Sequence, residues 1–288
     1  DNQPSLGATV SDIGYSQPYA TVSGRVAYAG DQAVPGVTIA VTGGDDDQEN
    51  YSVYFNGNDA SSHIKLPADV IDFKNNDEIT FQAWINPDKL QAEGSFVFSK
   101  NSTFDVMFGS QNRLKLYILG AMWETETVFN EHEWTHLTLI GKFDRNASKA
   151  TMSYYINGEF VESKEIATTE DVDEYIDDAF YVAANSEGTN GYCGYIDEIR
   201  IWNKTLDAVA VANTYNAYLS GREEGLWAYY RCNEEGVQRI FDQSGRNGVF
   251  NKRDGELGVM ANHSTMVPSA EQLSNKTVTD ADGNYLIN

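Results

Sequence analysis

Cysteine is nearly missing. Two residues, Cys193 and Cys232, in a chain of 288 are too few for the disulfide framework that staples small secreted domains. Both stand in strand-like runs, where a small thiol packs as a buried hydrophobe. A single bridge between them is the other reading, so cysteine leaves the redox compartment undecided. Basic residues are scarce as well, 20 against 43 acidic ones, for a net charge of −23. A field of that sign repels phosphate backbones and anionic lipid, so nucleic acid and membrane surfaces are poor partners, while divalent cations are accommodated. No apolar run nears the roughly 18 residues of a spanning helix. No signal-like leader opens the chain, and the polar start at Asp1 suits a trimmed mature protein as well as a cytosolic one. With four histidines and no Gly-x-Ser-x-Gly elbow, no nucleophilic triad can be assembled, and no glycine-rich phosphate cradle is present.

Strand formers are abundant, with 17 Tyr and 13 Phe. ITFQAWI (79–85) and HLTLIGKF (136–143) alternate with the period of a half-buried strand. TMSYYINGEFVES (151–163) reads as a hairpin with Asn157-Gly158 at its tip, since that pair tolerates the positive φ of a type I′ turn. One stretch reads as helix: Asp207 caps it, Val211, Tyr215 and Tyr218 share a face meant for the sandwich rim, and Gly221 ends it. Many strands and one short helix predict an all-β sandwich, and the length suffices for one large sandwich or two domains.

The ends differ from the middle. ATVSGRVAYAGDQAVPGVTIAVT (20–42) reads as two strands about a Pro35-Gly36 turn, GGDDDQEN (43–50) as an acidic linker, and NKTVTDADGNYLIN (275–288) as two strand pieces around an Asp-Gly turn. Neither end can satisfy its edge hydrogen bonds alone, so the two should lie side by side. GRVAYAGDQAVPGVTIAVTG with TVTDADGNYLI resembles the carboxypeptidase regulatory-like β module found in surface proteins of Bacteroides-type bacteria. The resemblance implies an N-terminal extension (1–19), a split and incomplete module (20–43 and 275–288), and an inserted domain (50–274).

The middle carries a second resemblance. VYFNGNDASSHIKLP (53–67), ITFQAWINP (79–87), EHEWTHLTLI (131–140), TMSYYINGEFV (151–161), GYIDEIRIWNKTL (194–206), GLWAYYRCNEEG (225–236) and FDQSGRNGVF (241–250) together resemble the laminin G-like, concanavalin A-like domain related to pentraxins. That family implies a two-sheet jelly roll, often with a calcium ion at one edge. It hosts lectins, glycosidases and adhesion modules alike, so it implies no single activity.

Several motifs could carry chemistry. His132-Glu133-Trp134-Thr135-His136 matches the zinc-protease HExxH, but its flanks alternate as strands, and four residues of strand span about 13 Å, too far for one ion. Glu170-Asp171-Val172-Asp173-Glu174 has the acids of a glycosidase strand but lies in an acidic, loop-like run. Asp197 and Glu198 are adjacent, and so face opposite sides of a strand. Among the tryptophans, Trp84, Trp134, Trp202 and Trp227 read as packing residues. Trp123 is the candidate for an exposed, sugar-stacking platform, with Tyr117 a second. The chemical expectation is calcium: Asp197 alternates with Tyr195 and Ile199, and the turn FNGND (55–59) resembles the family's edge loop. Asp197, Asp59 and the carbonyls of Gly57 or Asn58 are therefore the expected oxygen ligands. The competing reading pairs Asp197 with Arg200 or a lysine.

The resemblances imply a secreted, periplasmic or cell-surface bacterial protein. A non-catalytic, glycan-binding module is the first expectation, an adhesion or spacing module that meets a surface protein the second, and a glycoside hydrolase with an unrecognised acid pair the third.

Overall fold

The structure, a computed structural model, describes residues 22–27, 33–35, 38–40, 51–57, 61–71, 73, 76–100, 103–168, 178–185, 187–219, 221–234, 237–244, 253–258, 261–265, 267–268, 276–278, 281–282 and 284–287. Alternation becomes pleat in two antiparallel eight-stranded sheets. The first runs Glu159–Ala167 (β12), Lys149–Ile156 (β11), Thr135–Asp144 (β10), Glu78–Pro87 (β5), Cys193–Trp202 (β14), Ser52–Asn56 (β3) and Asn262–Ser264 (β18). Leu226–Tyr230 (β15) takes over from β3 beside the second half of β14. The second sheet runs Arg239–Ile240 (β16), Gly255–Leu257 (β17), Ile64–Leu66 (β4), Phe180–Val182 (β13), Phe96–Lys100 (β6), Phe104–Phe108 (β7), Arg113–Ile118 (β8) and Ala121–Val128 (β9).

One large core fills the space between them. In β8, Leu114, Leu116 and Ile118 point into it while Arg113, Lys115 and Tyr117 stay half-exposed, which is the two-residue period acting directly. Facing rings lock the layers, with Phe81 on β5 and Phe98 on β6 at 4.2 Å between centroids. The Asn157-Gly158 turn forms as the sequence predicts, both residues having positive φ (50° and 81°) between β11 and β12.

The chain ends pair with each other. Val22–Arg25 (β1) lies antiparallel to Asn284–Ile287 (β20), and Thr38–Ala40 (β2) to Lys276–Val278 (β19). Arg25 Nε also donates to the Asp282 carbonyl at 2.8 Å. The juxtaposition answers the strand-counting argument.

The helix is shorter than its periodicity predicts and sits elsewhere. Ala208–Thr214 (α1) starts at Asp207, whose Oδ1 accepts from Ala210 N at 2.8 Å. It stops because Arg200, reaching up from β14, takes the carbonyls of Thr214 and Ala217, a cation at a helix C-terminus. Val211 is fully buried against Ile140, Tyr155, Trp202 and Tyr229. The helix therefore lies on the outer face of the first sheet, not on the rim. With the inner core on one face and this cover over Gln82 and Trp84 on the other, β5 is buried at nine of its ten residues.

Candidate functional site

Strand register sets three rows of side chains across the outer face of the first sheet. Asn262, Tyr54, Tyr195 and Asn86 stand opposite one another on β18, β3, β14 and β5, and Trp134 precedes the first residue of β10 beside them. The next row holds Asp197, Trp84 and His136, and the third Tyr229, Arg200, Gln82 and Thr138. Helix α1 and the segment after it cover the second and third rows. The first is left open.

The open row is aromatic. Tyr54 and Tyr195 are half-exposed, with ring centroids 4.9 Å apart, and Trp134, 8% exposed, stands 6.3 Å from Tyr195. Trp84, in the next row, clusters with Trp134, and Tyr195, Tyr215 and Tyr218 pack against the pair; the Arg231 guanidinium lies 4.3 Å over the Tyr218 ring. Polar groups border the platform. Tyr54 Oη donates to Asp88 Oδ2 at 3.3 Å, and His132 Nδ1 lies 3.5 Å from Asp88 Oδ1. Burial, and then the neighbouring Cys193 and Asp88, push the Tyr54 hydroxyl well above its usual range, and burial, then Asp88, raises that of Tyr195. Both hydroxyls therefore stay neutral and remain hydrogen-bond donors. Flat rings with donors and acceptors at their edges suit a ligand with an apolar face and a hydroxylated rim.

The covered rows are occupied by the protein itself. A bulge separates Asp197 from Arg200 and leaves Glu198 at φ 52°, a conformation that non-glycine residues seldom adopt. The bulge brings the Glu198 carboxylate onto the outer face. Oε2 accepts from Arg200 Nη2 and Tyr229 Oη, both at 2.7 Å, and Oε1 lies 3.4 Å from Arg231 Nε. Glu198 and Arg200 are both buried, and the pair is stabilised because Arg200 Nη1 and Nη2 also donate to the Thr214 and Ala217 carbonyls. His136 is fully buried edge-on to Trp84 at 5.2 Å. His132, 69% exposed at its side chain, lies outside the strand. The HExxH letters thus span a turn and a strand, and the two imidazoles do not share a site.

Of the residues expected to bind calcium, Gly57 and Asp197 are described, and they lie apart. Register pairs Cys193 with Asn56 and Ile196 with Val53, so Asp197 lies four residues beyond the Asn56 end, about 13 Å along the strand from the turn that carries Gly57. A Cβ on Gly57 would fall on Cys193, not near Asp197. Asn58 and Asp59 lie outside the described residues. Among the described residues, no three His, Cys, Asp or Glu side chains converge as metal ligands do. Asp197 also forms no ion pair with Arg200, which binds Glu198. Its Oδ1 accepts from Glu198 N at 2.8 Å, and burial, then the charge of Glu198, raise its pKa well above the usual carboxylate range.

The expected platform residues are placed differently too. Trp123 is 3% exposed, in the core beside Tyr154 at 5.4 Å. It sits on β9, whose alternation turns it inward, so it offers no open face. Tyr117 is half-exposed on the outer face of the second sheet, opposite Asp105 and Met122, and does not join the aromatic row. The acids of 170–174 lie outside the described residues. Tyr54 and Tyr195 were missed because period two shows which face a residue takes but not which residue stands opposite. The one sequence signal was the alternation of Tyr195 with Asp197.

A family model described as the concanavalin A-like lectin/glucanases superfamily (Laminin_G_3) matches residues 56–212, more than half of the chain. No curated protein matches the chain in sequence. Among solved structures, the chain is similar to a candidate carbohydrate binding protein from Bacteroides ovatus, with TM-score 0.57 and 16% identity over 86% of this chain and 69% of that one. It is also similar to domain 4 of an extracellular arabinanase from Geobacillus stearothermophilus solved with arabinotriose (TM-score 0.41, 17% identity, 68% and 88% covered). A third is the heptameric pentraxin of Limulus polyphemus (TM-score 0.39, 13% identity, 84% and 96% covered).

Proposed function

We propose that this chain, which belongs to the concanavalin A-like lectin/glucanase superfamily, is a carbohydrate-binding module that does no chemistry on its ligand and serves an extracellular or cell-surface protein. The observation that carries the reading is the aromatic row of half-exposed Tyr54 and Tyr195, with Trp134 beside them, on a part of the sheet face that α1 does not cover. A sugar ring would lie on the tyrosines with its C–H face down, and its hydroxyls would reach Asp88, His132, Asn262 and the two phenols. The Bacteroides ovatus neighbour supports the fold and, by its description, the ligand class. Binding without catalysis is favoured by the carboxylates. A glycosidase needs two of them on one accessible cleft, about 5–9.5 Å apart, whereas Asp197 and Glu198 are buried and Glu198 is held by two arginines and a tyrosine.

A glycan array followed by calorimetry on the best ligand tests this. Tyr195→Ala should weaken binding by about tenfold or more, the scale of a central aromatic contact, with the fold intact by circular dichroism. Undiminished affinity would move the site elsewhere. Absence of any glycan signal would favour the second reading, an adhesion module for which the same aromatic row meets a protein. Release of reducing sugar would overturn the non-catalytic assignment.

A further inference from the structure

At the far end of β14 from Tyr195, the sandwich opens into a pocket of about 110 Å³. Its floor is apolar, built from Val70, Ile71, Phe73, Ile79 and Ile201, with Trp202 and Trp227 also lining it. Trp227 is held in place: its Nε1 donates to the Asp69 carbonyl at 2.8 Å, and the Arg253 guanidinium lies 4.3 Å over its ring. Size limits the occupant. An apolar cavity of about 150 Å³ takes one benzene ring, so this pocket accepts a group of roughly four or five heavy atoms and excludes a pyranose.

The mouth is polar, and its chemistry narrows the choice. Glu78 Oε2 accepts from Thr205 N and Oγ1 at 3.2 and 3.1 Å, and Oε1 pairs with Lys142 at 3.0 Å. The Lys142 hydrogen bond leads in holding the Glu78 carboxyl below its usual range, so it is ionised. With a chain of net charge −23 behind it, it opposes an anionic substituent. Lys142 already balances it, so an ammonium gains little. Asn203 spends its backbone N–H on Gly225 O at 2.9 Å, while its half-buried side-chain amide makes no hydrogen bond among the described residues. The pocket is thus shaped for a small, neutral group with a methyl at its tip and an amide at its base.

We propose that it receives the acetamido group of an N-acetylated hexosamine: the methyl enters the Ile79–Ile201 floor, the carbonyl accepts from Asn203 Nδ2, and the N–H faces Glu78. The assignment rests on the reading of the protein as a glycan binder and narrows its ligand. Ligand-observed NMR on the full chain compares N-acetylglucosamine and N-acetylgalactosamine with glucose, galactose and their 2-amino forms. The acetylated sugars should bind at least about tenfold more tightly, the scale of one buried methyl plus a matched polar contact, and saturation should transfer most strongly to the acetamido methyl. Asn203→Ala should erase most of that preference. No signal from either acetylated sugar, equal binding across the series, tighter binding of the ammonium sugars, or a preference that survives Asn203→Ala would each overturn the pocket. Tyr195→Ala separates the two readings. A preference that persists in that variant upholds the pocket and counts against the aromatic row. Binding lost in that variant, with no acetyl preference in the wild type, upholds the row and sinks the pocket.

Discussion

The same outer face of one sheet is an interior over part of its area and a surface over the rest. Under α1, Glu198, Arg200 and Tyr229 are buried and bonded to one another. A few residues back along β14, Tyr195 stands half-exposed beside Tyr54. Both stretches carry the polar and aromatic residues that ligand sites use. What differs is the cover. Where a helix lies on them they hold the fold, and where no described residue covers them they are exposed to solvent.

The sharpest way to break this contrast is Glu198→Ala. It leaves Arg200 buried without its carboxylate and should lower the unfolding free energy by about 3–5 kcal/mol in urea titrations, while the proposed glycan binding should be unchanged in the protein that remains folded. A cost below about 1 kcal/mol would mean that the covered row is not the anchor. Tyr195→Ala is the converse, expected to cost about 1–2 kcal/mol of stability and to weaken the proposed glycan binding by about tenfold or more. If it unfolds the protein as Glu198→Ala does, the two rows are alike.

Acid should act on the covered row. Burial, and then the charge of Arg200, hold the His136 pKa well below its ordinary 6.5. Above 6.5 the folded and unfolded chains are both neutral there. As pH falls below it, the unfolded chain takes a proton that the folded one refuses, so this contribution to stability is lost. Asp197, raised by burial, contributes with the opposite sign, so the test is the difference between two proteins. Wild type should lose more stability between pH 7 and 5 than His136→Gln, and parallel curves would remove His136 from the account. The smallest effect is expected from Asp197→Asn, which keeps the acceptor for Glu198 N: a change within about 1 kcal/mol, with the same melting temperature in chelator and buffer. A chelator-induced drop in wild type that Asp197→Asn abolishes would restore a calcium role to Asp197.

Much of the fold was legible. Alternation in ITFQAWI and HLTLIGKF became β5 and β10, Asn157-Gly158 became the turn with two positive φ values, and Asp207 became the cap of α1. Each of these depends on consecutive residues, since pleat, turn and cap are local chemistry. The site was less legible. Trp123 faces inward because β9 continues through it, and Asp197 sits about 13 Å from the Gly57 turn because β14 meets β3 in one register. Tyr54 and Tyr195 are 141 positions apart in sequence and 4.9 Å apart as rings. By itself, then, the sequence determined the strands, the turns and the sandwich, because those follow from neighbours along the chain. Which aromatic rings meet, and which of them α1 leaves uncovered, was decided only by tertiary structure, because register and cover arise between segments distant in sequence and leave no periodic trace in either one.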